Sequence, residues 1–225
     1  GLGGRSIAIG ANTKSLNLNS IAIGFNTTAR GGDSFAAGIN ATAAHWESMA
    51  IGNNASAEGQ SSVAFGIQAH TDMGSYKSMA IGDNASVGFY GSHATAIGAN
   101  AYSGHIETLA VGAYSKATGQ KSPAIGISSN ATGDHSLAIG LNSTASGDTS
   151  VALGWYSRAH ENFSVAMGYF STASADNALA IGTSSWAREN NSIALGNVAQ
   201  AHSLSAIAIG NSTRASGENS IAIGS

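Results

Sequence analysis

The sequence predicts an all-β fold, a β-solenoid built from 14-residue turns, on three observations. A string of the form Ser-x-Ala-x-Gly recurs along the chain, as SIAIG at 6–10 and 20–24, SMAIG at 48–52, SVAFG at 62–66 and SLAIG at 136–140. Its closing glycine returns every 14 residues from Gly10 to Gly224, apart from two spacings of 16, Gly66 to Gly82 and Gly82 to Gly98. Within the string small and apolar residues alternate with period 2, which is a strand signal.

Numbered from the Ser, position 3 is Ala and position 5 is Gly in all 16 copies. Position 1 is always Ser, Ala or Thr, position 4 is always apolar, and position 2 departs from apolar only at Thr95 and Pro123. A fainter echo follows seven residues later, as in Ser143-x-Ala145-x-Gly147 before Ser150-x-Ala152-x-Gly154. Position 8 is Ser, Thr or Ala, and position 10 is mostly Ala. Each turn therefore holds two short strands and two corners. A helical reading fails, because Gly every 14 residues, β-branched runs and Asn-rich connectors all oppose it.

Alternation assigns the faces. Positions 9 and 11 carry Lys14, Arg30, Glu58, Lys116, Arg158, Trp186 and Arg214. A narrow interior cannot hold such unpaired charges, so 9 and 11 face water, 8 and 10 face in, and by the echo 1, 3 and 5 face in as well. The interior is then filled by Ser, Ala and Gly. Positions 2 and 4 are left facing out as an aliphatic stripe: Ile7, Ile9, Ile21, Ile23, Val63, Phe65, Ile81, Ile97, Leu109, Val111, Leu137, Ile139, Val151, Leu153, Val165, Met167, Ile193, Leu195, Ile207 and Ile209. A soluble monomer tolerates an exposed apolar patch of only a few hundred Å². About 30 such side chains at ~1 kcal/mol each supply tens of kcal/mol of gross driving force. The stripe therefore predicts an obligate oligomer with the stripe at its centre. The alternative puts Ile inside and makes the chain monomeric.

Composition fits this fold. Charged residues are 9% of the 225, with 30 Gly, 1 Pro and no Cys. That is far below the ~25% charge of an ordinary domain, and no disulfide scaffold or thiolate metal site can form. Net charge is −3, and no basic face of the kind that binds phosphate backbones is visible. No apolar run approaches the length of a membrane span. The chain starts and stops within the pattern, and reads as one domain, 1–225, of about 15 repeats with two 16-residue turns at 62–93, excised from something longer.

The 14-residue unit, with its S-[IVLM]-A-[ILVF]-G core followed by a small-x-Ala motif, resembles the head domains of trimeric autotransporter adhesins, the YadA-like heads. The resemblance covers residues 6–224. It implies a left-handed parallel β-roll assembled as a homotrimer and displayed on a bacterial cell surface, projecting from the outer membrane. It implies as partners host matrix proteins such as collagen or fibronectin, or other bacterial cells. No nucleic acid and no direct membrane contact are expected.

Enzyme chemistry is not expected. No nucleophile elbow, Walker loop or H-E-x-x-H motif is present, and no cofactor is implied. The seven His fall at different repeat positions, so no metal site is predicted. Asn at position 7 in Asn12, Asn26, Asn40, Asn54, Asn84 and Asn100 suits left-handed corner geometry and a stacked amide ladder. The two long turns carry Met73, Tyr76, Phe89 and Tyr90, and exposed aromatics on loops are raw material for binding. Tyr76, Phe89 and Tyr90 are accordingly the candidate ligand-binding patch. Trp155-Tyr156 and Tyr169-Phe170, one turn apart, should stack in a packing role at the chain–chain junction. The leading function is an adhesin head binding through repeated shallow contacts. The alternative is a passive spacer that presents another binding domain.

Overall fold

The computed structural model describes residues 4–225, and the chain divides into two compact units, Gly1–Tyr114 and Ser115–Ser225. Every pairing between strands is parallel and in register. In the first unit eight strands, from Ile7–Ile9 to Leu109–Val111, form one sheet, and seven shorter ones, from Lys14–Ser15 to Tyr102–Ser103, form the other. The second unit repeats the plan with eight strands in each sheet, Pro123–Ile125 to Ile221–Ile223 and Lys116–Ala117 to Arg214–Ala215. Position 2 pairs with 2, 3 with 3 and 4 with 4, as in Ile7 with Ile21, Ala8 with Ala22 and Ile9 with Ile23. The 16-residue turns keep this register, because Met79 pairs with Val63 and with Thr95 across them.

The interior is as small as the sequence requires. Position-3 alanines such as Ala22, Ala64, Ala138 and Ala194 are fully buried, as are position-10 alanines such as Ala29 and Ala145. Positions 1 and 8 supply buried hydroxyls that have partners at the corners. Ser34 Oγ donates to Gly31 O at 2.7 Å and Ser62 Oγ to Gly59 O at 2.7 Å. Seven residues later in the turn the same reach recurs, with Ser143 Oγ donating to Gly140 O at 3.0 Å and Ser185 Oγ to Gly182 O at 3.0 Å. A buried hydroxyl without a partner is costly, so most buried Ser and Thr sit where a corner carbonyl lies within reach, and Thr71 donates instead to Ser62 Oγ at 2.8 Å. Ser136 and Ser150 are exceptions whose hydroxyls have no partner.

The glycines at position 5 correct one expectation. Their missing side chain does not point into the core. A Cβ on Gly24 would lie 1.9 Å from the carbonyl oxygen of Gly38 in the next turn, and φ is +138°. The constraint runs along the stack: this backbone direction puts any Cβ into the neighbouring turn.

Each corner also holds a non-glycine residue in the left-handed region. Position 7 does so from Asn12 (φ 56°) to Ser212 (φ 56°), and position 14 from Arg5 (φ 58°) to Asn219 (φ 56°). The conformation is uncommon for residues other than Gly, Asn and Asp, yet Tyr114, Phe163 and Val198 adopt it here. What holds them is the ladder: Asn26 N–H donates to Ala11 O at 2.9 Å and Asp33 N–H to Leu18 O at 2.9 Å. The expected amide ladder forms where Asn recurs, with Asn26 Nδ2 donating to Asn40 Oδ1 at 2.8 Å and Asn40 Nδ2 to Asn54 Oδ1 at 3.0 Å.

Candidate functional site

The aliphatic stripe faces outward in both units. Ile97 and Ile139 are each 37% exposed and Phe65 is 49% exposed, while the alanines between them are buried. This excludes the reading that places Ile inside the turns.

Backbone hydrogen bonds identify the extra residues of the two long turns. Ser75 N–H donates to Asp72 O at 2.9 Å and Gly91 N–H to Gly88 O at 2.8 Å. Each bond closes a small corner, so the extra residues are Met73-Gly74 and Phe89-Tyr90, between positions 11 and 12. Phe89 covers Gly74, whose hypothetical Cβ would lie 3.2 Å from the Phe89 ring. Phe89 and Tyr90 meet edge to face at 5.3 Å, and Tyr90 stacks on His105 at 5.9 Å.

Tyr76 is not one of the inserted residues. It occupies the ordinary position 13, where its carbonyl accepts the His93 N–H at 2.8 Å. It lines an open depression with Gln60, Ser61, Lys77 and His93. Tyr76, Phe89 and Tyr90 are all exposed; Phe89 and Tyr90 touch each other, and Tyr76 lines the depression. Sequence spacing alone could not tell the extra residues from the ordinary ones, because it does not say where within a long turn they bulge.

The four rings in the second unit do stack. Tyr156 lies on Phe170 at 4.9 Å with planes 11° apart, and Trp155 meets Tyr169 edge to face at 5.1 Å. Exposed Ile127 and Leu141 occupy the same repeat position as Trp155 and Tyr169 on the two preceding turns.

The charges of the second unit are sorted by position, which the sequence reading missed. Lys116, Arg158, Arg188 and Arg214 lie at positions 9 and 11, on the outer face of the shorter-strand sheet. All six acidic residues of the unit, Asp134, Asp148, Glu161, Asp176, Glu189 and Glu218, fall at positions 12 and 13. Three of these carboxylates accept backbone N–H groups of neighbouring turns: Asp134 from Gln120 at 2.7 Å, Asp148 from Asp134 at 2.9 Å and Asp176 from Asn162 at 3.1 Å. Placing the nine Lys and Arg on the repeat numbering would have revealed the basic face.

The histidines also recur in pairs, contrary to the expectation that no two share a ladder: His45 and His105 at position 12, His93 and His135 at 14, His160 and His202 at 11. His45 and His105, and likewise His160 and His202, are separated by several turns at ~4.8 Å per turn, too far to share an ion. Among the described residues no three His, Asp or Glu converge as metal ligands.

His202 sits in the basic face with both ring nitrogens engaged. Nε2 lies 3.0 Å from Gln200 Oε1 and Nδ1 lies 3.2 Å from Arg214 Nη2. A guanidinium only donates, so this arrangement fits the neutral ring with its proton on Nε2. Burial, then the charges of Arg214 and Arg188, lower the His202 pKa below its ordinary value. Arg188 lies over the Trp186 ring, 3.8 Å from its centroid, and Trp186 Nε1 donates to Ser174 Oγ at 3.0 Å.

Comparison with known proteins places this architecture. The YadA head domain repeat family matches residues 2–27, 47–69, 76–101, 117–143, 131–157, 145–171, 159–185, 173–199 and 201–225. From 117 to 173 successive matches begin 14 residues apart, the period of the turns. No curated protein sequence matches. Among solved structures, the crystal structure of the collagen-binding domain of the Yersinia adhesin YadA is similar at 33% identity and a TM-score of 0.50, over 53% of this chain and 67% of that one. With matches over far more than half of its length, and a register of turns that explains their spacing, the chain belongs to the YadA head-domain family of trimeric autotransporter adhesins.

Proposed function

We propose that the chain is the ligand-binding head of a bacterial surface fibre, that it works as a homotrimer joined through the aliphatic stripe, and that it attaches the cell to fibrous host matrix. The observation that supports attachment to matrix is the likeness to a collagen-binding YadA domain. Triple-helical collagen is therefore the first ligand to test, with fibronectin and bacterial self-association after it. The stripe supports the trimer: an outward row of Ile, Val and Leu in each unit needs cover. Three copies of each shallow contact on one assembly would give avidity without a deep pocket.

The test is solid-phase binding of the chain to immobilised triple-helical collagen, with heat-denatured collagen as the control. Saturable binding that needs the triple helix supports the proposal. Failure to bind collagen, fibronectin or itself would leave only a spacer. A second protein lacking Met73-Gly74 and Phe89-Tyr90 assigns the contact. Each deletion removes a self-closed corner and restores a 14-residue turn, so the protein should fold with its stability nearly unchanged. Loss of collagen binding with an intact fold places the contact at Phe89 and Tyr90. Retained binding places it on the regular faces, with Tyr76→Ala then testing the separate depression.

A further inference from the structure

We infer that the outer face of the shorter-strand sheet in the second unit is a binding surface for an extended sulfated polysaccharide, a partner distinct in chemistry and location from the protein ligand proposed above. The face presents Lys116, Arg158, Arg188 and Arg214 and no acidic residue. The equivalent face of the first unit is balanced, with Lys14 and Arg30 against Glu58 and Asp72. The four cations are exposed. Among the described residues the sole ion pair is His70 with Asp72, in the other unit. Glu161 and Glu189, at the next corner, pair with none of them. Cations left without carboxylates on a face cleared of acid are complementary to a polyanion.

The arginines are also spaced and held. Arg158, Thr172, Trp186, Gln200 and Arg214 occupy consecutive rungs of one ladder. Arg188 stands two residues after Trp186, midway between the other two arginines. At ~4.8 Å per rung the three follow one another at intervals of roughly 10 Å along the sheet. An extended polysaccharide that carries anionic groups on each disaccharide repeats over a comparable distance. Stacking on Trp186 fixes Arg188, and Arg214 is steered by Ser216 Oγ at 3.1 Å and by His202. Side chains held this way lose less freedom on binding. The two outer faces of the roll point away from a shared interior, so covering the stripe leaves this face open.

The experiment measures binding of size-defined heparin oligosaccharides to the full chain at about 0.15 M salt. Binding should weaken steeply as salt rises. The variant Arg158→Gln/Arg188→Gln/Arg214→Gln should lose about tenfold or more in affinity, whereas Lys121→Gln, at a corner off this face, should change nothing. Saturation with heparin should raise the His202 pKa, read by NMR, because the polyanion neutralises Arg188 and Arg214, the charged groups beside the ring. Absence of heparin binding, full binding by the triple variant, an unmoved His202 pKa, or equal competition by double-stranded DNA would each overturn the inference. The last would mark general attraction to polyanions. Collagen binding measured on the same variants keeps the two readings apart, since it should survive all of these substitutions.

Discussion

Ala138 shows what one side chain decides here. It is fully buried between two sheets whose opposing surfaces are themselves Ala and Ser. Its strand neighbours in the turns on either side are Ala124 and Ala152. There is no soft side chain to move aside, so added methylenes must displace backbone. Ala138→Leu should destabilise by ~1–3 kcal/mol, toward the upper end of the range for overpacking. Thr144→Val, at an outward, half-buried position 9, should stay within about 0.5 kcal/mol. Chemical denaturation of the two variants checks the pair, and equal losses would contradict the face assignment. This inward code was legible in the sequence because a core made almost wholly of Ala and Ser leaves a period that charge never interrupts. The left-handed corner at position 14 was not legible. Its occupants include Arg5, His93, Phe163 and Asn219, which share no chemistry; the stacked turns impose the conformation on whichever residue stands there.

At the scale of the element, Pro123 is the one strand residue that cannot donate to the ladder. In the corresponding place Leu137 N–H donates to Ser150 O at 2.9 Å and Val151 N–H to Ser164 O at 2.9 Å. Proline is tolerated because it is the first residue of its strand, Pro123–Ile125, where φ suits it and only one bond is forgone. Pro123→Val should supply that bond to Ser136 O and stabilise the protein by about 0.5–1.5 kcal/mol, offset in part by the freedom valine regains when unfolded. Hydrogen exchange is the direct reading: amides of the turn at 122–126 should be less protected than those at 136–140, and the substitution should close the gap. The position of this defect could be read from the sequence, since the repeat numbering identifies the missing donor. The position of the two insertions could not. Their extra residues emerge between positions 11 and 12 because a four-residue corner can close there on Asp72 or Gly88 while the strands on either side keep their register.

At the scale of the whole molecule the sorting of residues by repeat position becomes a sorting of surfaces. In the second unit one outer face is aliphatic and the other basic, and its six acids collect at a corner where backbone N–H groups hold three of them. The aliphatic face was visible in the sequence as an alternation. The basic one was not, because four cations scattered over a hundred residues look unrelated until the ladder aligns them. The first of these faces has the larger energetic consequence. None of its side chains is buried in the single chain, and covering them yields tens of kcal/mol gross at about 25 cal/mol per Å², reduced by the cost of association. The chain should therefore sediment at three times its 22.3 kDa mass at micromolar concentration. Ile139→Asp with Met167→Asp places two unpaired carboxylates in the covered seam and should yield a smaller species that keeps its β-sheet circular dichroism, since neither side chain enters the interior. A wild-type chain that remains a well-folded, non-aggregating monomer would show that the exposed stripe is tolerated by solvent, and the trimeric reading would have to be abandoned.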